Sequence, residues 1–326
     1  MTASVLVTGG AGYVGSHACK ALRATGFEPV TYDNLYRGHA WAVKWGPFEQ
    51  GDIADTARLQ AVIRKYRPVA VMHFAALAYA GESVTEPAAY YRVNVAGSCS
   101  LLDAMRAEGL RTLVFSSTCA LYGDCDLPKI PEGAPFKPVS PYGFSKLAIE
   151  RMLADCAAAH GLRSVSLRYF NAAGADPDGE IGEVHEPETH LIPLVLEAAA
   201  GKRSHIDVYG TDYPTPDGSC VRDYIHVADL ADAHVKALQR LLSAGEGGLA
   251  QAFNLGTGEG HSVKQVIDAA RRVTGRPIKA ELKPRRPGDP PQAIADATLA
   301  GRELRWQPRF GKLDAILETA WNWMQR

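Results

Sequence analysis

The chain has no apolar run near the roughly 18 to 20 residues a membrane-spanning helix needs; its longest candidates, Leu191–Leu196 and Ala198–Ala200, are split by Glu197. It has no surplus of either charge: 35 Lys and Arg against 36 Asp and Glu leave a formal net charge of −1. That excludes a general polyanion binder, because affinity for phosphate backbones comes from a local excess of Lys and Arg. The six cysteines (Cys19, Cys99, Cys119, Cys125, Cys156, Cys220) show no Cys-x-x-Cys spacing. They read as free thiols of a reducing compartment, and neither a disulfide framework nor a metal site is expected. The first residues carry no basic region and lead into an apolar run, so no secretory signal is read and the cytoplasm is the default. There is no internal repeat and no low-complexity tract. What is present is 326 residues, 46% hydrophobic and 22% charged, the profile of a globular chain with one large or two ordinary domains.

In the first half, short apolar runs alternate with amphipathic stretches. Ser4–Thr8, Pro29–Asp33, Val69–Phe74, Thr112–Ser116 and Ser164–Arg168 are nearly continuous in apolar character, as strands of a sheet covered on both faces should be. Between them Gly12–Thr25, Asp55–Tyr66, Pro87–Glu108 and Ser140–His160 have helical length and period. The alternation predicts an α/β fold with a doubly wound, Rossmann-type parallel sheet. After Phe170 the texture changes: Asn171–Pro187, Thr211–Gly218 and Lys283–Pro291 are dense in Gly and Pro, with further helices expected at Val227–Leu242, Val263–Val273 and Leu313–Met324. The division read from this is a dinucleotide-binding domain over 1–171, with the helix near 227–242 packing back on it. A smaller, loop-rich α/β domain over 172–326 then closes as a substrate lid over the carboxyl edge of the sheet, where such folds bind ligands.

Gly9-Gly10-Ala11-Gly12-Tyr13-Val14-Gly15 directly follows the first strand and opens a helix. Glycines there allow a tight turn and a close approach of the backbone to a pyrophosphate, which meets the unpaired N–H groups of the helix start. The second strand ends in Asp33, 18 residues past Gly15. An acid at that place accepts from ribose hydroxyls and repels a 2′-phosphate, favouring NAD over NADP, although Arg37 nearby blurs the choice. Asp52 reads as an adenine contact or as a loop cap. Tyr142 and Lys146 open a later helix on one face, where a cation and a positive nicotinamide would lower the phenol toward a useful base. Ser116-Ser117-Thr118 ends the fourth strand where the nicotinamide end of NAD would lie, so that Thr118 can bind a substrate hydroxyl while Tyr142 removes its proton.

Together with Asp33-Asn34, His73-Phe74-Ala75-Ala76 and Asn94, these motifs resemble the extended short-chain dehydrogenase/reductases. More narrowly the chain is similar to the UDP-sugar 4-epimerases of the UDP-glucose 4-epimerase type. The narrower match rests on Arg168-Tyr169-Phe170-Asn171, Leu191-Ile192-Pro193, Tyr209-Gly210-Thr211-Asp212-Tyr213, Val221-Arg222-Asp223-Tyr224-Ile225-His226 and Arg285-Arg286-Pro287-Gly288-Asp289. The resemblance implies Tyr142, Lys146 and Thr118 as catalytic residues. It implies an NAD site of Gly9, Gly12, Tyr13, Val14, Gly15, Asp33, Asn34, Asp52, Ile53, Phe74, Ala75, Ala76, Asn94, Ser116, Tyr142, Lys146, Tyr169 and Phe170. It further implies a UDP-sugar site of Thr118, Tyr142, Asn171, His190, Leu191, Tyr209, Arg222, Arg286, Asp289 and Ala293, which suits a diphosphate's need for guanidinium forks. The implied reaction is inversion at C4 of UDP-glucose or UDP-galactose through a 4-keto sugar, in a homodimer joined through the helix of Tyr142, where Leu147, Ala148 and Leu153 are small or apolar.

Departures from the family are specific. Ala78 stands where some members have a lysine near the cofactor ribose, implying weaker cofactor retention, and His190 stands for a substrate-holding asparagine. Ala293 replaces a bulky tyrosine of hexose-restricted members, leaving space for N-acetyl sugars. Ser117-Thr118-Cys119-Ala120, Ala78-Tyr79-Ala80-Gly81-Glu82 and Ser219-Cys220-Val221-Arg222 are similar to UDP-arabinose/UDP-xylose 4-epimerases, which keeps pentose donors open. Cys119-Ala120 lacks the acids of nucleotide-sugar 4,6-dehydratases. A net dehydrogenase and an idle NAD-binding regulator of the same fold are the remaining rivals.

Overall fold

The computed structural model describes residues 2–245, 247–286 and 288–326. The chain opens with β1 (Ser4–Thr8), followed by α1 (Tyr13–Ala24), β2 (Glu28–Asp33), β3 (Phe48–Gln50), α2 (Thr56–Tyr66) and β4 (Ala70–His73). Three helical pieces come next, α3 (Ala80–Thr85), α4 (Pro87–Tyr90) and α5 (Gly97–Ala107), the last two joined by a π-helical turn at Tyr91–Ala96. β5 (Thr112–Thr118), α6 (Pro141–His160) and β6 (Arg163–Tyr169) complete the first half. The second half supplies β7 (Asn171–Ala173), α7 (Leu191–Ala199), β8 (Ile206–Tyr209), β9 (Val221–Arg222), β10 (Tyr224–His226), α8 (Val227–Ser243), β11 (Leu249–Leu255), β12 (His261–Ser262), α9 (Val263–Thr274), β13 (Ala280–Lys283), β14 (Gln292–Ala293), α10 (Thr298–Glu303) and α11 (Leu313–Met324).

Seven strands form one parallel sheet in the order β11-β6-β5-β4-β1-β2-β3. Its two faces follow from the alternation of a strand: Val5 and Val7 join the layer built with Ala18 and Leu22 of α1 and Leu238 of α8, whereas Leu6 joins Leu59, Leu101 and Leu153 of α2, α5 and α6. Each Val or Leu among them contributes about 1.5–3 kcal/mol by being buried rather than exposed, so the two layers fix the sheet and leave its carboxyl edge to carry loops. Helix ends are specified locally. The Ser140 hydroxyl accepts from the Gly143 N–H at 3.2 Å and Pro141 opens α6, which stops on Gly161 at φ 69°.

Three features depart from the sequence reading. β3 and β11 add two strands to the five expected; β11 pairs β6 from Leu249↔Arg163 to Leu255↔Tyr169. α8 packs against α1 and β6, as expected for the helix near 227–242, and β11 takes residues 249–255 with it into the main sheet instead of the lid. The helix expected over Pro87–Glu108 is broken by the π-helical turn, which carries the fully buried Asn94 and has no periodic signature in sequence. The rest of the second half has its own core, where Ile192 and Leu196 of α7 meet Val266 and Ile267 of α9, Ile316 and Leu317 of α11 and Val208 of β8. Among the described residues no helix is long and apolar enough to cross a membrane.

Candidate active site

One continuous cleft of about 1060 Å³ runs along the carboxyl edge of the sheet. It exceeds the roughly 300–1,000 Å³ typical of a one-ligand pocket, which suits a dinucleotide and a second nucleotide side by side. The glycine loop forms its floor. Gly9 has φ +75°, and a Cβ there would sit 2.5 Å from Ala75 N; a Cβ on Gly15 would sit 2.1 Å from Gly9 O. Gly12 caps α1 without a side-chain hydrogen bond, and no acid occupies the first turn, so the amides that start α1 face the cleft free of a competing anion. Asp33, 8% exposed, accepts from Ala11 N at 3.0 Å and Leu35 N at 2.8 Å. Burial raises its carboxyl, and those two N–H groups oppose the shift.

Asn34 donates to Asp52 at 2.9 Å, and Asp52 also accepts from Ala54 N at 2.9 Å. Asp52 is thus a loop cap that still lines the cleft. Arg37 is engaged with Glu82 at 3.1 Å, with the Glu186 carbonyl and over the Tyr79 ring, which removes it as a free partner for a 2′-phosphate. His73 is buried and kept neutral, its pKa lowered to about 3, between Thr8 at 2.7 Å and Ser98 at 3.0 Å.

At the middle of the edge, Ser116, Thr118, Tyr142, Tyr169 and Phe170 meet. The Ser116 and Tyr169 hydroxyls are 2.8 Å apart. Thr118 accepts from Ala120 N at 3.1 Å, a strand-end cap that leaves its hydroxyl proton for another acceptor. Lys146 lies one turn beyond Tyr142, 3% exposed, with its ammonium donating to the Ser116 carbonyl at 2.8 Å. Burial lowers its pKa to about 7. The same burial pushes the Tyr142 phenol well above its ordinary value, opposed by the Thr118 hydroxyl. The expectation that Lys146 lowers this phenol is therefore not met by the protein alone. Burial leaves Lys146 only partly charged near neutral pH, its ammonium donates to the Ser116 carbonyl, and the phenolate has no water to stabilise it.

The far wall comes from the second half. Arg222 donates to the Val221 and Pro290 carbonyls, both at 2.9 Å, and lies 3.6 Å from Asp289. Arg286 stacks on the Tyr209 ring at 3.8 Å. Asn171, Leu191 and Ala293 complete the lining; Pro287 of the arginine motif lies outside the described residues. The motifs separate physically. Asp223, next to Arg222, is fully buried and accepts from Thr257, Gly258 and Ala295 amides, and Arg168 forms a buried ion pair with Glu150 at 2.5 Å. These two hold the walls and do not face the cleft.

Every cofactor and substrate residue implied by the resemblance lines the cleft except Asn94 and Lys146. Lys146 stands behind Ser116. The Asn94 carboxamide bonds both the Leu77 N–H and carbonyl, at 2.8 and 3.0 Å, and Ser145 at 3.0 Å, so it shapes the loop after β4 from behind. Leu153 belongs to the core and offers nothing to a partner surface. The reading missed the corner beside Tyr13. There Glu183 meets both His190 and His185, the latter at 3.1 Å, with Glu188 3.7 Å from His185. Glu183 and Glu188 hold the imidazole of His190 charged above its ordinary range. The spacing Glu-x-His-x-x-Glu-x-His was the available signal.

Comparison with known proteins gives consistent matches. Residues 5–256 match the model of the NAD dependent epimerase/dehydratase family. A UDP-glucose 4-epimerase of Rhizobium meliloti (strain 1021) is 52% identical over 323 residues, covering 99% of this chain and 97% of that protein. The crystal structure of UDP-glucose 4-epimerase from Brucella ovis in complex with NAD superposes with a TM-score of 0.95 at 53% identity, covering 98% of each chain. That of a UDP-glucose-4-epimerase from Stenotrophomonas maltophila, with bound NAD and formylated UDP-arabinopyranose, does so at 0.95 and 42%, covering 99% of this chain and 98% of the other.

Proposed function

The chain belongs to the NAD dependent epimerase/dehydratase family, and we propose that it inverts C4 of a UDP-hexose, interconverting UDP-glucose and UDP-galactose. The observation that carries this is the shared cleft: Tyr142 and Thr118 at the sheet edge face Arg222, Arg286 and Tyr209 across one continuous space. The glycine floor, the uncapped start of α1 and Asp33 fit NAD. NAD⁺ bound there supplies a reversible acceptor for the C4 hydride, giving a transient 4-keto sugar.

The protein's own groups do the rest. Tyr142 takes the proton of the 4-hydroxyl, and Thr118 orients that hydroxyl. Because burial raises the phenol, its activation belongs to the loaded cleft, where the positive nicotinamide offsets the lost hydration. Arg222 and Arg286 grip the diphosphate and Tyr209 stacks on the base, so affinity comes from the part that does not react while the sugar turns over to present its other face. Ala293 leaves room for an N-acetyl group. The pentose reading is not favoured, since relatives near half identity over the full length are UDP-glucose 4-epimerases. Six free thiols support a cytoplasmic setting. The exposed Phe144 of α6, edge-on to exposed Tyr91 at 6.2 Å, supports a second copy against that helix.

The test is incubation of the purified protein with UDP-galactose and no added NAD. The expected outcome is UDP-glucose in many-fold excess over protein. A stop at one equivalent identifies a net dehydrogenase, and no conversion by NAD-loaded protein identifies an idle regulator.

A further inference from the structure

The corner formed by residues 183–190 holds four potential metal ligands within one short segment. Suitable ligand atoms of Glu183, His185, Glu188 and His190 all lie within 4.8 Å of one another. Both Nδ1 atoms converge on a single oxygen, Oε1 of Glu183, at 3.1 Å from His185 and closer from His190. His185 Nδ1 is also 3.7 Å from Oε2 of Glu188. Tetrahedral coordination with bonds of about 2.0–2.1 Å places ligand atoms ~3.3–3.4 Å apart; His185 stands near that spacing from both carboxylates, and the hydrogen-bonded His190 and Glu183 would part by about an ångström to reach it. The His185 Nδ1 is closed to solvent and, despite its nearness to Glu183, makes no hydrogen bond of acceptable direction. Aromatic rings flank the imidazoles, Tyr79 at 5.7 and 6.4 Å from the two and Tyr13 at 6.2 Å from His185, with the His190 side chain 45% exposed on the open side.

Charge and backbone point the same way. Two carboxylates and two neutral imidazoles carry a charge of −2, which one divalent cation cancels. No backbone N–H of residues 182–190 donates to a backbone carbonyl. The segment is tied down by side chains from elsewhere, Trp323 on the Glu183 carbonyl, His39 on that of Val184 and Arg37 on that of Glu186. We propose that Glu183, His185, Glu188 and His190 form a structural site for a divalent transition metal of the zinc class, which cross-links this segment to itself and fixes its shape at the cleft wall. Imidazole nitrogens select such ions over magnesium or calcium, and four protein ligands leave no open position for catalysis. The site revises the expectation of no metal. His190 also lines the cleft, so the site borders the substrate wall; the test below reads metal binding and not turnover, and so stands or falls separately from the epimerase reading.

The test loads the full chain, stripped with a chelator, with CoCl2 and separately with ZnCl2. Expected are one equivalent bound by calorimetry and, for cobalt, the intense visible absorption of tetrahedral coordination. His185→Gln and Glu188→Gln, each checked for native circular dichroism, should weaken binding by at least the roughly 10–100-fold that even outer-shell changes cost. His205→Gln, in the separate His205, Asp207 and Glu281 group, should leave it unchanged. No binding to the wild type overturns the proposal, as does octahedral cobalt, binding that survives both cluster variants, or binding that His205→Gln removes.

Discussion

The two walls of the cleft are made in different ways. The cofactor wall is made from main chain and locked side chains: glycines that exclude a Cβ, helix-start amides, and Asp33, Ser116 and Lys146 at 8, 2 and 3% exposure. The substrate wall is made from long side chains on loops and two-residue strands, with Arg222 and Arg286 resting on carbonyls and a ring of their own wall. A wall of backbone is placed by the whole sheet and cannot adjust. A wall of guanidinium groups trades its internal contacts for a ligand's and can follow one that moves. An enzyme that keeps its cofactor still and turns its sugar over needs that difference.

The sharpest way to break the comparison is Tyr142→Phe. Turnover should fall by about 10²–10⁴-fold, the range for loss of a positioned base, while bound NAD, read by its absorbance after denaturation, is retained. Arg222→Met should act on the other wall alone. Losing a charged hydrogen-bonding partner costs about 1.5–3 kcal/mol, so KM for UDP-galactose and Ki for UDP should rise together by about 10–100-fold with kcat and NAD content little changed. Ala293→Tyr should lower the ratio of N-acetylhexosamine to hexose turnover by about 10-fold or more, the scale of added bulk in a pocket; an unchanged ratio removes Ala293 as the determinant.

The smallest effect is on stability. Burial lowers the Lys146 pKa to about 7 in the folded chain, from its ordinary 10.5. Between those values the unfolded chain holds a proton the folded chain has shed, so stability of the NAD-free protein rises with pH across the window. The slope approaches about 1.4 kcal/mol per pH unit. Lys146→Met should flatten that rise in urea midpoints measured at pH 7 and 9; an equal slope in the variant shows that other groups carry it.

The strands read from sequence were those buried on both faces, since continuous Val and Leu leave few other interpretations. β3 is three residues, Phe48-Glu49-Gln50, with only the middle one buried, too short to show alternation. β11 reads Leu-Ala-Gln-Ala-Phe-Asn-Leu, whose alanines and glutamine favour a helix; pairing with β6 overrides that preference. In the cleft, the glycine loop and the Tyr142 and Lys146 pair were legible because they are local. The phenol's raised pKa was not, because it depends on burial in the folded cleft and on the neighbouring Tyr169 and Tyr90 hydroxyls, distant in sequence. The 183–190 corner did carry a local signal in its Glu and His spacing; what that spacing could not reveal is that Tyr13 and Tyr79 flank it.

β11 has a consequence for how the chain becomes a protein. β6 ends at Tyr169 and its outer partner begins at Leu249, so a growing chain leaves the β6 edge bare until nearly eighty further residues have been made. Exposed parallel edges invite pairing with neighbouring chains, and such long-range contacts form late. The first 171 residues expressed alone would lack both that strand and α8 and should aggregate, so synthesis of this protein commits to the whole sheet before any of it is secure.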